Sequence, residues 1–386
     1  MKIGILTGGG DCPGLNAVIR SVVHSAINDY GMSVVGFKAG FEGVIMNNYL
    51  NLDRASVSGI LPLGGTILGS SNKADPFKYP IPQKDGHVYL DRSTEVVATV
   101  ERLGLDAMVV IGGDGTMAAA TGLTDLGINM VGIPKSIDND LYGTDQTFGF
   151  DTAVATATDA IDRLHTTAQS HDRAMIVEVM GRYTGWIALA CGVAGGADVI
   201  LLPEIPYELD VVCEKIRSRN RQGKSFSIVV VGEGAKPIGG DMVVSRMIET
   251  SPEAIRLGGI GKQLAAQIEG LTDIETRVTI LGHIVRGGSP TAYDRQLATN
   301  LGREAVRLIA NQQFGRLVVL KDNQYTSIAI ADAAGKVRNV PVDSPLVKSA
   351  RSLGISLGVA DDYFNAAAGM EMADQPENSQ ETSVGC

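Results

Sequence analysis

Short runs rich in β-branched residues alternate along the chain with segments of helical spacing. KIGILTG, SVVGFKAG, AMVVIGG, NMVGIPK, AMIVEVM, VILLPE and SIVVVGEG read as buried strands. Between them, Leu15–Asp29, Glu95–Leu103 and Thr152–Ser170 carry apolar residues at helical intervals. This alternation predicts βαβ units and parallel sheets. Right-handed crossovers then bring the strand ends to a common edge, where ligands of such sheets bind. The glycines and carboxylates cluster just after those strands. One local pattern occurs twice, in ILTGGGDCPG and VVIGGDGTMA: strand, glycines, aspartate, helix. No tandem repeat of solenoid type is present.

The 386 residues suffice for two domains of ordinary size, and with 44% hydrophobic and 20% charged residues they can bury large cores. The 47 glycines suggest many turns and close backbone–ligand approaches. A net charge of −10 argues against a nucleic-acid coat, although a local basic pocket can sit inside an acidic protein. No run of 18 apolar residues occurs, so no membrane span is expected. MKIGILTGGG enters a strand at once and lacks a signal-peptide layout. Cys12, Cys191, Cys213 and Cys386 lie far apart without a CxxC, which predicts a reduced, cytoplasmic protein. After about Asn365 the chain is small, polar and acidic, and a frayed end is expected.

Several segments carry candidate chemistry. In GGGDCPGLNAVIR (residues 8–20) glycines let the backbone approach a polyphosphate, and the following helix presents its positive end. Asn16 could donate to an oxygen there. A tight strand–helix turn without a ligand explains the same residues. In IGGDGTMAAA, Gly112 and Gly113 clear space and Asp114 ends a strand facing it. A carboxylate beside phosphates suits Mg2+, and Asp114 as a helix N-cap is the other reading. The same loop resembles that of NAD kinases and lipid kinases. PKSIDND sets Lys135, Ser136, Asp138 and Asp140 at a strand end. A carboxylate there could take a proton from an attacking hydroxyl, and the lysine could offset phosphoryl charge. An Asx-rich turn is the alternative. Arg173, Arg182, Arg277, Arg286 and Arg295 lie in two further stretches, and arginines bind phosphate bidentately. Glu233 follows SIVVVG and could accept from sugar hydroxyls, while His283 alone reads as structural.

Together LTGGGDCPGLNAVIR, GGTILGSS, IGGDGT, PKSIDND, GFDTA, SHDR, EVMGRYTGW, GEG and LGHIVRGGSPTAYDR resemble the phosphofructokinase family, in family order from residue 3 to about residue 300. The resemblance implies two Rossmann-like, three-layer α/β domains with mainly parallel sheets and the active site in the cleft between them. It implies a larger domain, 1–149 plus about 285–340, binding the phosphoryl donor and Mg2+. A smaller one, 150–284 plus about 341–362, would bind the sugar phosphate, with 363–386 as a flexible tail. The implied reaction moves the γ-phosphoryl group of ATP to the 1-hydroxyl of fructose 6-phosphate. Asp138 matches the base, Asp114 and Asp140 the carboxylates around Mg2+, and Ser136 and Lys135 groups on the transferring phosphoryl. Gly10, Asn72, Lys73, Gly113, Asp114, Gly115 and Thr116 fall on the donor side. Ser136, Ile137, Asp138, Met180, Gly181, Arg182, Glu233, His283 and Arg286 fall on the sugar side. Arg173 and Arg277 match arginines reaching in from a neighbouring subunit, so a homotetramer or dimer is implied.

The chain departs from the family pattern in places. Asn72, then Lys73, stands where many ATP-dependent bacterial members have an arginine. Arg20 and Arg54 match the bacterial effector site, but His24 and His165 replace arginines, so control by ADP or phosphoenolpyruvate is not implied. Gly115 is of the ATP-dependent type and Lys135 of the pyrophosphate-dependent type. Glycine at 115 leaves room for the α-phosphate and nucleoside, which favours ATP. A pyrophosphate-dependent enzyme, acting also on sedoheptulose 7-phosphate, is the alternative. A non-catalytic sugar-phosphate-binding subunit is disfavoured because Asp138 is present.

Overall fold

A computed structural model describes residues 1–83, 86–247 and 255–364. All seven expected strands form: Lys2–Thr7, Ser33–Phe37, Ala107–Gly112, Met130–Ser136, Ala174–Val179, Val199–Leu201 and Ser227–Gly232. The three helical patterns become Leu15–Tyr30, Ser93–Leu103 and Phe150–His171. The expected tail lies outside the described residues from 365 onward, and Cys386 with it. The other three cysteines are buried and free. No helix among the described residues is long and apolar enough to cross a membrane.

The strands divide into two principal sheets. The larger has the order Gln324–Ala329, Arg316–Lys321, Met130–Ser136, Ala107–Gly112, Lys2–Thr7, Ser33–Phe37, Tyr49–Leu52, with Phe148–Gly149 pairing alongside Met130–Ser136. Its interior is parallel and both edge strands are antiparallel. The smaller sheet is parallel, in the order Val199–Leu201, Ser227–Gly232, Ala174–Val179, Thr276–Ile280. Arg316–Lys321, the edge strands Gln324–Ala329 and Tyr49–Leu52, and Thr276–Ile280 of the smaller sheet were not among the runs the sequence marked.

Strand alternation explains the layers. Ile3, Ile5, Val109, Ile111, Val131 and Ile133 enter one core with residues of helices Leu15–Tyr30 and Ala292–Ala310. Leu6, Met108, Val110 and Met130 face the opposite core, with helices Ser93–Leu103 and Asp114–Asp125. Successive side chains point to opposite faces, so each strand must be apolar throughout. The first core continues without a break onto the smaller sheet through Met175, Val177, Ile228 and Val230. Ile176, Val229 and Val231 face a third core beneath helices Leu209–Arg221 and Ile260–Thr272.

One consequence fixes the site. The helix after Lys2–Thr7 packs on one face of the larger sheet, and the helix after Ala107–Gly112 packs on the other. Those strands are neighbours. Their connections leave in opposite directions, which opens a crevice at the C-terminal strand ends. Both glycine–aspartate loops of the sequence lie there.

Candidate active site

The first loop runs over residues 8–14. Gly9 has φ 73°, a left-handed conformation that glycine adopts without strain, and it bends the chain back across the strand ends. Gly9 N–H donates to the Ser71 carbonyl at 3.0 Å, which seats residues 70–73 beside the loop. Gly9, Gly10, Asp11, Thr66, Gly69, Ser70 and Asn72 line a cleft of about 420 Å³. Asn72 and Lys73 are exposed at its rim. Asn16 does not face a ligand: its amide donates to the Leu63 and Gly64 carbonyls at 3.1 Å each, and its oxygen accepts from Ile67 N–H at 2.8 Å. It pins the loop that lines the cleft.

The second loop contributes Gly113, Asp114, Gly115 and Thr116. Gly113, not Asp114, holds the N-cap position, and Asp114 begins the helix. Asp114 Oδ1 accepts from Gly335 N–H at 2.6 Å and the side chain is exposed. A Cβ on Gly115 would meet no atom within 4 Å. Thr116 is buried, with its side chain against Gly8 and Gly112, so it packs the two loops together.

The turn after Met130–Ser136 carries the carboxylates. Asp138 N–H donates to Ser136 Oγ at 3.1 Å, and Ser136 Oγ donates to Asp140 Oδ1 at 2.6 Å. Asn139 has φ 53°, a conformation asparagine tolerates better than most residues. Its Oδ1 accepts from Thr147 N–H at 2.9 Å, and Thr147 Oγ1 donates to the Ser136 carbonyl at 2.6 Å. Ile137 is buried in the core and anchors the turn. Asp138 Oδ1 is buried without a hydrogen-bond partner. Burial pushes the Asp138 carboxyl up to about 7; Asp140 and Glu233 add to the rise, and Arg286 and Lys135 oppose it. Lys135 is 6% exposed and its ammonium donates to the Gly10 carbonyl. Burial lowers its pKa, and the nearby Cys12 and Asp140 resist that shift.

The sugar-side residues follow strands of the smaller sheet. Met180, Gly181 and Arg182 follow Ala174–Val179, and Glu233 follows Ser227–Gly232. Gly234 N–H donates to the Gly181 carbonyl at 3.1 Å, and a Cβ on Gly234 would collide with the Arg182 carbonyl, so the two strand ends touch. Burial raises the Glu233 pKa, and Glu178 adds to it, while Arg286 and Arg182 lower it. Arg182 lies over the Tyr183 ring at 4.9 Å, and Met180 packs on the core. His283 and Arg286 sit on the 3-10 turn Gly282–Arg286, His283 exposed. Arg286 Nη1 donates to the Asp11 carbonyl at 3.1 Å, joining this turn to the first glycine loop.

The two arginines expected to reach into a neighbouring subunit's site lie away from this cleft. Arg173 precedes the strand that Met180 follows, and Arg277 pairs with Met175 near that same beginning. From Arg173 to Met180 the extended chain takes seven steps, about 23 Å. Arg173 and Arg277 both bind the Glu275 carboxylate instead. At the effector match, His24 has its pKa lowered by burial and by Arg20 and Arg54, whereas the His165 ring meets the Gly195 carbonyl at 2.6 Å.

Sequence reasoning passed over two buried carboxylates, Asp294 and Glu178, and a half-buried one, Glu204, that build the site's frame. Asp294, fully buried, accepts from Thr152 N–H at 2.8 Å and Thr152 Oγ1 at 2.5 Å, locking two helix N-termini together. Glu178 accepts from Gly259 and Gly261 N–H. Glu204 accepts from Gly185 and Val340 N–H. Asp294 and Glu178 had a signal, their places within TAYDR and EVMGRYTGW.

By fold the molecule is a doubly wound α/β protein with its candidate site at a switch point. It belongs to the phosphofructokinase family, whose model, described as Phosphofructokinase, matches residues 2–309. A Clostridium perfringens protein named ATP-dependent 6-phosphofructokinase 2 is 52% identical over 357 residues, 92% of this chain and 98% of that one. A Streptomyces coelicolor protein named Pyrophosphate--fructose 6-phosphate 1-phosphotransferase is 49% identical over 341 residues, 88% and 96% of the two chains. The solved phosphofructokinase of Saccharomyces cerevisiae is 27% identical with a TM-score of 0.73; the match covers 95% of this chain and 49% of that one. The chain thus spans about half the length of that yeast protein.

Proposed function

We propose that the protein is an ATP-dependent 6-phosphofructokinase, transferring a phosphoryl group from ATP to the 1-hydroxyl of fructose 6-phosphate. The observation that carries this reading is Asp138: a carboxyl with an unpartnered buried oxygen and a pKa raised to about 7, between the glycine loops and the Arg182–Glu233 side. A base needs a pKa near the working pH and an open lone pair toward the proton it takes. The donor would lie over Gly10, Gly113 and Gly115, with Thr116 packing those loops and Asn72 and Lys73 at the rim. Arg182, Glu233, His283 and Arg286 would hold the sugar phosphate. Ser136 orients Asp138 from below, and Lys135 sets a positive charge beneath the transferring group.

The donor part would be 1–149 with about 285–340, and the sugar part 150–284 with about 341–362. The two sheets support this division, since each draws its strands from one part only.

The residues present fit Mg2+. Asp114 and Asp140 each commit one oxygen to an internal hydrogen bond and leave the other open. Among the described residues no cluster of three or more acidic, histidine or cysteine side chains forms a protein-only cage. One or two carboxylates completed by phosphate oxygens and water suit this ion. When bound, it would neutralise charge on the donor phosphates.

Gly115 supports ATP over pyrophosphate, because it leaves the space beyond the loop clear. Arg173, about 23 Å along the strand from Met180, and Arg277, level with Met175 and about 17 Å away, support an oligomer in which they serve a neighbouring subunit's site. A coupled assay with fructose 6-phosphate and Mg2+ tests the reading. ATP should support turnover and pyrophosphate should not; preference for pyrophosphate refutes the donor assignment.

A further inference from the structure

A segment outside every motif runs behind the catalytic turn. Residues 335–340 lead from the short helix Ile330–Ala333 toward helix Pro345–Ser352. Gly335 N–H donates to Asp114 Oδ1 at 2.6 Å. Val337 forms an antiparallel bridge with Leu141. Arg338 N–H donates to the Asp140 carbonyl at 2.8 Å, and Arg338 Nη1 donates to the Asn139 carbonyl at 3.2 Å. On its other side, the Arg338 carbonyl accepts from the Trp186 indole at 2.8 Å, and the guanidinium stacks 4.3 Å from the Trp186 ring centre. Val340 N–H then donates to Glu204 Oε1 at 2.8 Å, and the same carboxylate holds Gly185 N–H at 3.0 Å.

These contacts give one side chain two attachments. Arg338 is half-buried, and among the described residues no carboxylate forms an ion pair with it. The place of its guanidinium is set by the Asn139 carbonyl and an aromatic face. The Asn139 carbonyl belongs to the residue with φ 53°, the joint on which the Asp138 carboxylate hangs. A left-handed joint relaxes unless its neighbours hold it. Trp186 lies four residues beyond Arg182, on the segment that carries the sugar-side arginine.

We propose that Arg338 is a positioning residue for phosphoryl transfer: its guanidinium acts through the Asn139 carbonyl to fix the Asp138 carboxylate, and through Trp186 to keep that turn aligned with the Arg182 segment. The proposal rests on the reading of Asp138 as the base. A displacement of about 1 Å at a reacting group costs on the order of 100-fold in rate, so a partly loosened turn affects kcat first. Substrate affinity depends on side chains carried by other segments.

Arg338→Met keeps the bulk of the side chain and removes its donors and charge. It should lower kcat about tenfold while KM for fructose 6-phosphate changes less than about twofold. Arg338→Lys, which keeps the charge and one donor, should recover at least about a third of the parental kcat. Trp186 is the only tryptophan of the chain, so its emission in the ligand-free protein reads the contact directly. Removing a cation from the ring face should shift that emission. Asp138→Asn is measured alongside. If it is inactive while Arg338→Met keeps kcat within about twofold, the proposal is wrong and the base reading stands. If Asp138→Asn is itself active, the base reading is wrong and the proposal falls with it. Equal damage to kcat and KM, or no recovery with lysine, marks a merely structural residue and also overturns it. An unchanged Trp186 emission shows that the contact does not exist in solution. If Arg338→Met does not fold, Trp186→Phe carries the test. Loss of the indole donor should reduce kcat at least about threefold at constant KM, and an unchanged kcat overturns the proposal.

Discussion

Asp138→Asn should make the protein far slower and, above neutral pH, more stable. The parent holds a carboxyl whose burial, reinforced by Asp140, raises its pKa from 3.8 to about 7. Three pKa units at about 1.36 kcal/mol each place the cost of ionising Asp138 in the folded protein near 4 kcal/mol, an upper bound. The amide has no charge to desolvate, but it leaves a buried polar group without a partner at about 1–3 kcal/mol. The net gain is then at most about 1–3 kcal/mol. The pH window follows from the sign. Between about pH 4 and pH 7 the unfolded chain releases a proton that the folded chain keeps, so the parent loses stability as pH rises through that range. The asparagine variant has no such loss. Ligand-free urea unfolding of both proteins at pH 5 and pH 8 should therefore show a difference that grows toward pH 8. Meanwhile kcat should fall by about two to four orders of magnitude, because the amide cannot accept the proton. For the parent, kcat/KM should rise with pH through an apparent pKa of about 7. A variant that is no more stable at pH 8, or one that keeps near-normal kcat, refutes the reasoning.

Gly115→Asp should fold normally, since the new Cβ meets open space, yet ATP turnover should drop sharply while slow use of pyrophosphate emerges. Parallel assays with the two donors check this, and ATP turnover equal to the parent's sinks it. Mixing inactive Arg277→Ala with inactive Asp138→Asn subunits should restore part of the activity if sites are shared, and no recovery after verified subunit exchange counts against sharing. Gly10→Ala should raise KM for fructose 6-phosphate more than it lowers kcat, because the added Cβ comes within 2.6 Å of Arg286 Nη1 and displaces it. Unchanged saturation kinetics would remove Arg286 from the sugar side.

The seven apolar runs were legible as strands because strands covered on both faces must be apolar at every position. The edge strand Thr276–Ile280 was hidden by a half-exposed pattern that carries Arg277. Asp138, Asp140 and the two glycine loops stood out because chemistry at the ends of parallel strands needs a carboxylate and a close backbone in a short stretch of chain. Asn16 looked equally able to meet a ligand, and only its three contacts with residues 63–67 show it committed to the frame.

The sequence alone determined the layered architecture, the two glycine loops, the acidic turn and the family to which they belong, since each is written in neighbouring residues. Tertiary structure decided the rest. Arg173 and Arg182, nine positions apart, fall at opposite ends of one strand, because an extended chain carries them apart. Arg338, about two hundred positions from Asn139, reaches its carbonyl because the chain beyond the last strand returns past the catalytic turn. The raised pKa of Asp138 arises from burial, reinforced by Asp140 and Glu233 and opposed by Arg286 and Lys135, charges carried on three separate segments. Electrostatic energy depends on distance and on exclusion of water, and neither quantity exists until the chain has folded.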